Sequence, residues 1–370
     1  MALAMPFVQL KPNRIVLGEG VRLGSALGSA GWAFLAISAA ALVAAISDRL
    51  SPRLRLVAGL AGSLAVLVAL GVVAGHLVPP DNSMARVSPA SGFWLLLLAF
   101  GLTAADAVSR LGLSLAQRWL LLIGVVAAIA AVLASGGIDG VSVMREFDVR
   151  RDLFRRETMR HLMLATGSLG MALAIGLPLG VAIYLAPALR RFVLGVLNIV
   201  QTIPSLALFG IMIPIFGWVA ANVTGAAALG IAGIGIFPAL VALFLYSLLP
   251  VVSNTLVGLT GVSAEARDAA YGLGMTRWQV LRWVLIPLAL PVILAAVRIV
   301  LVQNIGLAVI AGLIGGGGYG TFVFQGLNQT AMDLVLLGAL PTIAMAMVAG
   351  LTLDLLVEYL DHRKQRKTAP

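Results

Sequence analysis

Polar side chains are scarce in this chain, and one group of them lies in the loop 261–286 between two long apolar segments. Ser263 can cap the start of a helix there, and Glu265 and Asp268 place negative charge in its first turns, where the helix dipole favours it. Gly274 can end the same helix, because glycine tolerates the left-handed conformation of a helix stop. This pattern predicts a short, slim helix that docks into a groove on another protein.

A second helix is predicted directly after the first. Thr276 followed by Gln279 matches a capping box, in which each side chain bonds to the backbone amide of the other residue. The second helix is expected to run toward Ile286, where Pro287 disfavours its continuation. The loop should therefore project one helix from the membrane and turn it back with the other.

Another polar group, Gln201–Ser205, lies inside an apolar segment. Pro204 interrupts the helical hydrogen-bond ladder, and the amide of Gln201 can hydrogen-bond within a helix bundle. Two interpretations are equally open. The residues line or gate a route through the membrane, or they form a proline kink with polar packing contacts.

Several kinds of chemistry are excluded. The chain has no cysteine, which removes disulfides, thiolate metal sites and cysteine nucleophiles. Lysine occurs only at positions 11, 364 and 367, none of them after a glycine-rich loop, so there is no Walker A phosphate site. The run 315–320 matches G-x-G-x-x-G only formally, because it follows an apolar helix; we expect a flexible external turn. We predict a protein that is not an enzyme.

The isolated charged residues suggest no metal site or proton relay. His76, His161 and His362 are far apart in the sequence, and we expect them at surfaces or interfaces. Asp106 lies near the end of an apolar segment with Arg110 one turn later, a spacing that predicts an ion pair at the membrane interface.

Composition identifies the elements that must position these residues. The chain is 61% hydrophobic and 11% charged, whereas a soluble domain has about 25% charged residues. A membrane span needs about 20 apolar residues. That rule predicts nine spans, near 23–46, 55–78, 92–109, 117–135, 161–186, 192–216, 228–257, 287–314 and 334–358.

Loop charges predict the orientation. Most basic residues fall in loops on one face, which the positive-inside rule makes cytoplasmic. The net charge of +10 therefore does not indicate nucleic acid. The arginine-rich segment 145–160 falls on the other face, and its mixed charges suggest a helix lying along the membrane surface. The N-terminus is then external, and because no signal peptide is visible, we suspect a further span upstream of Met1.

The loop resembles the coupling loop of ABC importer permeases, written Glu-Ala-Ala, three residues, Gly, nine residues, Ile, one residue, Leu-Pro. Asp268-Ala269-Ala270, Gly274, Val284 and Ile286-Pro287 keep every spacing, with Asp in place of Glu, Val in place of Ile and Ile in place of Leu. Glu265-Ala266 offers the acid one turn earlier, so the resemblance leaves two candidate carboxylates. It implies that this helix seats on a separate ATPase subunit, through Glu265, Ala266, Asp268, Ala269, Ala270, Gly274 and Pro287.

The region 161–360 is most similar to osmoprotectant permeases for glycine betaine and related quaternary amines. The runs 176–180, 201–205 and 276–281 carry this resemblance, and the runs 12–20 and 91–94 look like the four-span extension of YehY-type permeases. The pathway or gate residues that it implies are Gln201, Thr202, Pro204, Ser205, Tyr246, Asn254, Gln303 and Asn304.

The resemblance implies an all-α polytopic membrane protein of about nine transmembrane helices with a C-terminal five-helix type I ABC importer core, similar to the methionine permease MetI. Residues 1–150 would form an N-terminal membrane extension of about four helices. Residues 151–361 would form the importer domain with its coupling loop at 261–286, and residues 362–370 a basic cytoplasmic tail.

The implied function is that of a permease subunit of an ATP-driven importer in the bacterial inner membrane. Its partners would be the lipid bilayer, a cytoplasmic ATPase subunit that carries ATP and Mg²⁺, a periplasmic substrate-binding protein and a second permease copy or a paralogue. No cofactor is expected on this chain. Two alternatives stay open: a permease for methionine, another amino acid or a sulfonate, and an ion-coupled carrier that needs no ATP.

Overall fold

The computed structural model of the protein describes residues 4–13, 16, 18–46, 50–78, 82 and 84–368, with the backbone alone for 361–368. Within this part of the chain nine helices are long and apolar enough to cross a membrane, as the sequence predicts. The chain divides into two compact units. The N-terminal unit comprises Met1–Arg151 with Gln325–Leu337, and the C-terminal unit comprises Asp152–Phe324 with Gly338–Pro370.

Parts of the sequence interpretation fall outside the described residues. These are Arg14, Ile15 and Leu17 in the run 12–20, Asp48-Arg49 between the first two predicted spans, residues 79–81 and 83 between the second and third, and the side chains of the tail 362–370.

A small antiparallel sheet opens the N-terminal unit, and the sequence reading did not predict it. Its strands are β1 (Val8–Lys11), β2 (Glu19–Val21) and β3 (Arg86–Pro89), in the order β2-β1-β3. Val8 lies opposite both Val21 and Pro89. Strands of three or four residues are too short for an alternation of apolar and polar residues to be recognised in the sequence.

Among the described residues, the first four helices of the N-terminal unit contribute side chains to one apolar core. Phe7 meets Phe93 edge to face at 5.8 Å, and Val66 lies fully buried in the same cluster. At Gly59 a Cβ would lie 2.6 Å from the Ala104 backbone nitrogen, so glycine permits this close helix contact. The helices are α1 (Leu23–Leu27), α2 (Ser29–Ile46), α3 (Pro52–Leu77), α4 (Ser91–Leu111), α5 (Leu115–Ala134) and α6 (Ser142–Val149).

A buried carboxylate ties the sheet of the N-terminal unit to the segment 325–337. One oxygen of Asp333 accepts hydrogen bonds from Ser88 of β3 at 2.5 Å and from Ser142 of α6 at 2.7 Å. The other lies 3.9 Å from the ammonium of Lys11 in β1. All four side chains are buried, so the two charges depend on each other and on these hydroxyls for partners, and the Ser142 hydroxyl also contacts the Val87 carbonyl at 2.9 Å.

Close helix packing also organises the C-terminal unit. Gly176 and Gly180 face the helix Ile236–Thr260, where a Cβ would approach Val251 and Thr255 to within 2.8 and 2.6 Å. The glycines of the run 176–180 therefore permit close packing of two helices. The helices are α7 (Arg151–Leu185), α8 (Pro187–Thr202), α9 (Ser205–Asn222), α10 (Ile236–Thr260), α11 (Ala264–Gly272), α12 (Arg277–Val280), α13 (Ile286–Leu307), α14 (Gly320–Asn328) and α15 (Met332–Thr368).

Two predicted elements are corrected. The expected span 192–216 is two helices, because α8 ends at Thr202 and α9 begins at Ser205, with Pro204 between them. The expected surface helix 145–160 does not exist as one piece. Its first residues form α6, and the rest form the first turns of the 35-residue α7. A helix of that length reaches about 50 Å, well beyond a hydrocarbon core of about 30 Å, so its charged turns can emerge from the membrane.

The helix after the loop does not stop at Pro287. A single π-helical turn, Leu281–Leu285, joins α12 to α13, and Pro287 lies in the first turn of α13. The Ile286 amide bonds to the Leu281 carbonyl, five residues back. The wider π turn leaves Pro287 in the first turn of α13. At that position a proline costs little stability, because its missing N–H would have no partner within the helix.

Candidate functional site

The loop between α10 and α13 has the local geometry that the sequence predicts. The Ser263 hydroxyl accepts from the Ala266 amide at 3.3 Å and caps α11. Hydrogen bonds from its own backbone amide and from the Ser263 hydroxyl hold the pKa of the Glu265 carboxyl below its ordinary value. Thr276 and Gln279 form the predicted capping box at the start of α12, with bonds of 2.8 and 3.3 Å.

Gly274 ends α11 in a Schellman motif. Its φ is 78°, a conformation that favours glycine. Its amide bonds to the Tyr271 carbonyl at 2.9 Å, and the Met275 amide bonds to the Ala270 carbonyl at 3.2 Å. These are the two bonds of that motif, and they turn the chain back toward the membrane.

One side of this helix pair is anchored. Ala270 of α11 is buried in an apolar cluster with Val280, Leu281 and Leu285, and Leu259 from the end of α10 completes it. Because the cluster includes both sides of the turn, α11 is fastened to α10 and α13 rather than suspended on a loose loop.

The other side of the pair is open. Glu265, Asp268 and Ala269 are exposed, and Leu273 at the turn is 83% exposed. Ala266 and Pro287 are partly covered, and Ala270 is buried. The anchored helix and its turn thus expose a leucine and two carboxylates, which together form a candidate docking surface for another protein.

The second predicted group lies at a helix break. Thr202 ends α8, and its hydroxyl bonds to the Ile199 carbonyl at 2.7 Å. Tyr246 of α10 donates its hydroxyl proton to the Ile203 carbonyl, a group freed by the break. The amide oxygen of Gln201 is buried without a hydrogen-bond partner among the described residues. The structure thus brings Tyr246 to the 201–205 segment.

Asn304 lies in a different contact. It is fully buried, donates to the Ser168 hydroxyl at 2.8 Å and accepts from the Ser247 hydroxyl at 3.0 Å. This node joins α7, α10 and α13. Asn254 bonds locally to the Pro250 carbonyl at 2.8 Å, and Gln303 is partly exposed. Neither is brought to the helix break by a hydrogen bond that the structure describes.

The glycine-rich turn 315–320 is not an exposed, flexible turn, because Gly316 to Gly320 are buried. The Gly318 amide donates to the buried carboxylate of Glu157 at 2.7 Å. The Tyr319 amide donates to Nδ1 of His161 at 3.3 Å, so Nε2 carries the proton that it donates to the Ile305 carbonyl at 3.0 Å. The expectation of a surface position for His161 is therefore wrong.

Asp106 pairs as predicted. It bonds to Arg110 at 2.9 Å and also lies 3.5 Å from Arg55 of α3. Among the described residues no group of three or more histidine, aspartate or glutamate side chains could hold a metal ion.

Sequence reasoning missed an ion pair within the spans. Nη1 of Arg298 in α13 lies 2.5 Å from Oδ1 of Asp354 in α15. The signal was present in the sequence, because each residue is charged and follows a long apolar run. No local pattern says that residues 56 positions apart form a pair.

Comparisons with known proteins agree with this arrangement. Residues 172–366 match the family described as "Binding-protein-dependent transport system inner membrane component", and residues 1–144 match "ABC transporter permease YehY, N-terminal domain".

Two relatives carry informative names. The osmoprotectant import permease protein OsmW of Salmonella typhimurium is 41% identical over 58% of this chain and 90% of its own length. The glycine betaine/carnitine/choline transport system permease protein OpuCB of Bacillus subtilis is 35% identical over 58% of this chain and 88% of its own length.

A solved structure of an inward-facing MetNI methionine ABC transporter is similar to the C-terminal part. Its TM-score is 0.50 at 25% identity, over 56% of this chain and 96% of that chain. Since the family match covers more than half of the residues, the chain belongs to the binding-protein-dependent inner membrane components, the multi-pass permease subunits of ABC importers, which are transport subunits and not enzymes.

Proposed function

We propose that this chain carries glycine betaine or a related quaternary-amine osmoprotectant through the membrane in an ATP-driven importer. The observation that carries the proposal is the anchored helix pair α11–α12, with its exposed Leu273 and acidic face. The solute class is supported by the names of relatives that are 33–41% identical.

The helix pair would act as a lever. A cytoplasmic ATPase subunit, which carries ATP and Mg²⁺, would bind the exposed side of α11. Closure of the ATPase would push α11, and the buried cluster around Ala270 would pass the motion to α10 and α13. A lever requires this arrangement, because a helix on a loose loop would absorb the motion.

The remaining parts follow from this role. A periplasmic binding protein would deliver the solute on the opposite face, and a second permease copy or a paralogue would complete the route. We propose that the break at 201–205, with Tyr246, lines or gates that route, together with Asn254, Gln303 and Asn304. We assign 1–150 to the extension, 151–361 to the importer domain with its loop 261–286, and 362–370 to a cytoplasmic tail.

The first test is uptake of radiolabelled glycine betaine by a host that lacks its own betaine systems. The host would express this chain with its neighbouring ATPase and binding-protein genes. Gly274→Pro should abolish uptake, because proline cannot adopt the positive φ of that turn. Asp268→Lys should do the same by reversing a charge on the docking face. Normal uptake by both variants would refute the coupling assignment.

A matched pair of leucines tests docking directly. Leu273 is 83% exposed beyond the C-terminal end of α10, and Leu229 is 80% exposed before its N-terminal end. Leu273→Asp should lose the ATPase subunit during affinity purification, whereas Leu229→Asp should retain it. If both variants retain the ATPase subunit equally, the subunit binds a surface other than the one that includes Leu273. Uptake that follows an ion gradient without the ATPase would indicate a carrier instead.

A further inference from the structure

The Arg298–Asp354 ion pair is incompletely satisfied by the protein. The two side chains are 46% and 40% exposed. Among the described residues, the structure gives Arg298 one polar partner, Asp354. A guanidinium has five N–H donors and a carboxylate has about four acceptor positions. Most of this capacity therefore faces outward from the C-terminal unit.

The depth of the pair follows from its neighbours. Val300, two residues after Arg298, packs in one cluster with Val251 of α10 and Ala172 of α7. Val251 lies nine residues before the end of α10 at Thr260, a rise of about 13 Å. Measured from the start of α10 at Ile236, the rise is about 22 Å. Both distances place Val251 inside the hydrocarbon layer, which is about 30 Å thick. Asp354 lies six residues, about 9 Å, before the end of its apolar span at Leu360, so the pair lies within the layer but nearer to one surface than to the centre.

Lipid chains are an unfavourable environment for the side of α13 and α15 that carries Arg298 and Asp354. Charged side chains at such depth are costly against hydrocarbon, and in membrane proteins they face the bundle interior or a water-filled cavity. The sides of α13 and α15 that carry the pair must therefore meet water, a solute or protein. The neighbouring Ala295 and Leu351, each three residues before a member of the pair, are also exposed.

We propose that this face lines a water-filled part of the translocation route and that the pair is a transient binding site for a zwitterionic amine. The Asp354 carboxylate would meet the quaternary ammonium, which has charge but no N–H to donate. The Arg298 guanidinium would bind the solute carboxylate in a charge-assisted contact. The assignment of the solute class rests on the proposed function; the assignment of a water-filled face does not.

The pair suits a site that must also release its solute. When a zwitterion enters, it replaces one ion pair by two, so no charge is left alone in either state. When it leaves, Arg298 and Asp354 neutralise each other again. Such a site binds weakly enough to pass the solute on, as a transport route requires.

The absence of cysteine from the chain makes the first test direct. Ala295→Cys and Leu351→Cys would each be made in the full complex with its ATPase subunit, in lipid nanodiscs. The probe is the trimethylammonium-ethyl methanethiosulfonate cation, which is itself a quaternary amine and does not cross lipid. The control is Ile129→Cys on α5, an exposed apolar position within another span.

We expect labelling of both test positions, slowed by glycine betaine, and no labelling of the control. Absence of labelling at both test positions would overturn the inference, because the face would then meet lipid. A disulfide between the two copies without labelling would also overturn it, because the face would be a contact between permeases. Labelling does not depend on transport, so it tests the water-filled face separately from the solute. If both positions are labelled but betaine neither slows the labelling nor is taken up, the solute class is refuted and the water-filled face stands.

Charge variants test the solute contacts. Asp354→Asn should raise KM for uptake of both betaine and choline about tenfold, which corresponds to about 1.4 kcal/mol, because the quaternary ammonium of each solute loses the negative charge that it meets. Arg298→Gln should raise KM for betaine alone, because choline has no carboxylate. Arg110→Gln, which removes the ion pair at the end of α4, is the matched control and should leave both KM values near wild type. Equal effects of Arg298→Gln on the two solutes would overturn the assigned contacts.

Discussion

Two aspartates on the single helix α15 have opposite surroundings. Asp333 is 2% exposed and, among the described residues, has three polar partners, Lys11, Ser88 and Ser142. Asp354, twenty-one residues later, has a side chain that is 40% exposed, and in the described part of the chain its one partner is Arg298. A carboxylate that the protein satisfies completely serves the fold. A carboxylate that is left half satisfied within a membrane span is available to a solute.

The comparison predicts the largest loss of stability at Asp333. Asp333→Ala removes the acceptor of two buried hydroxyls and the charged partner of the Lys11 ammonium. Removing one member of a buried pair costs about 3–5 kcal/mol. The expected result is a much lower Tm in detergent, read by thermal unfolding of the purified chain. The double variant Asp333→Asn with Lys11→Met, which removes both charges, should recover part of the loss. An unchanged Tm for Asp333→Ala would break the comparison.

Glu157 is expected to have an intermediate effect. Its side chain is buried, but two of its partners are the largely exposed arginines 156 and 160. Glu157→Gln removes the charge that strengthens the bond from the Gly318 amide, which is worth about 1.5–3 kcal/mol. Hydrogen exchange of that amide should accelerate. Asp152→Asn, an exposed change on the same helix, should leave the exchange rate as it is, and an equal acceleration in both variants would contradict the role of Glu157.

The smallest effect on stability is expected at Asp354. Half-exposed ion pairs contribute up to about 1 kcal/mol, so Asp354→Asn should lower Tm only slightly. The same variant should impair uptake strongly, by the argument above. Together with Asp333→Ala, it separates stability from transport on one helix. A Tm loss at Asp354 as large as that at Asp333 would mean that both carboxylates serve the fold.

The sequence by itself determined the number of spans and the ends of α11 and the start of α12. The number of spans follows from the length of the apolar runs, because a bilayer has a fixed thickness. The caps at Ser263 and Thr276 and the stop at Gly274 follow from bonds that close within five residues. Such bonds depend on neighbours in the sequence, so residue types alone predict them.

Only the tertiary structure decided which distant polar groups meet. Ser88 and Asp333 are 245 residues apart, and Tyr246 reaches a carbonyl 43 residues before it. The sequence alone also did not determine the break at Pro204 or the π turn before Pro287, because a proline is compatible with a helix break, a helix kink or the first turn of a helix. Packing of neighbouring helices selects among these, and the same packing leaves Asp354 half open while it buries Asp333.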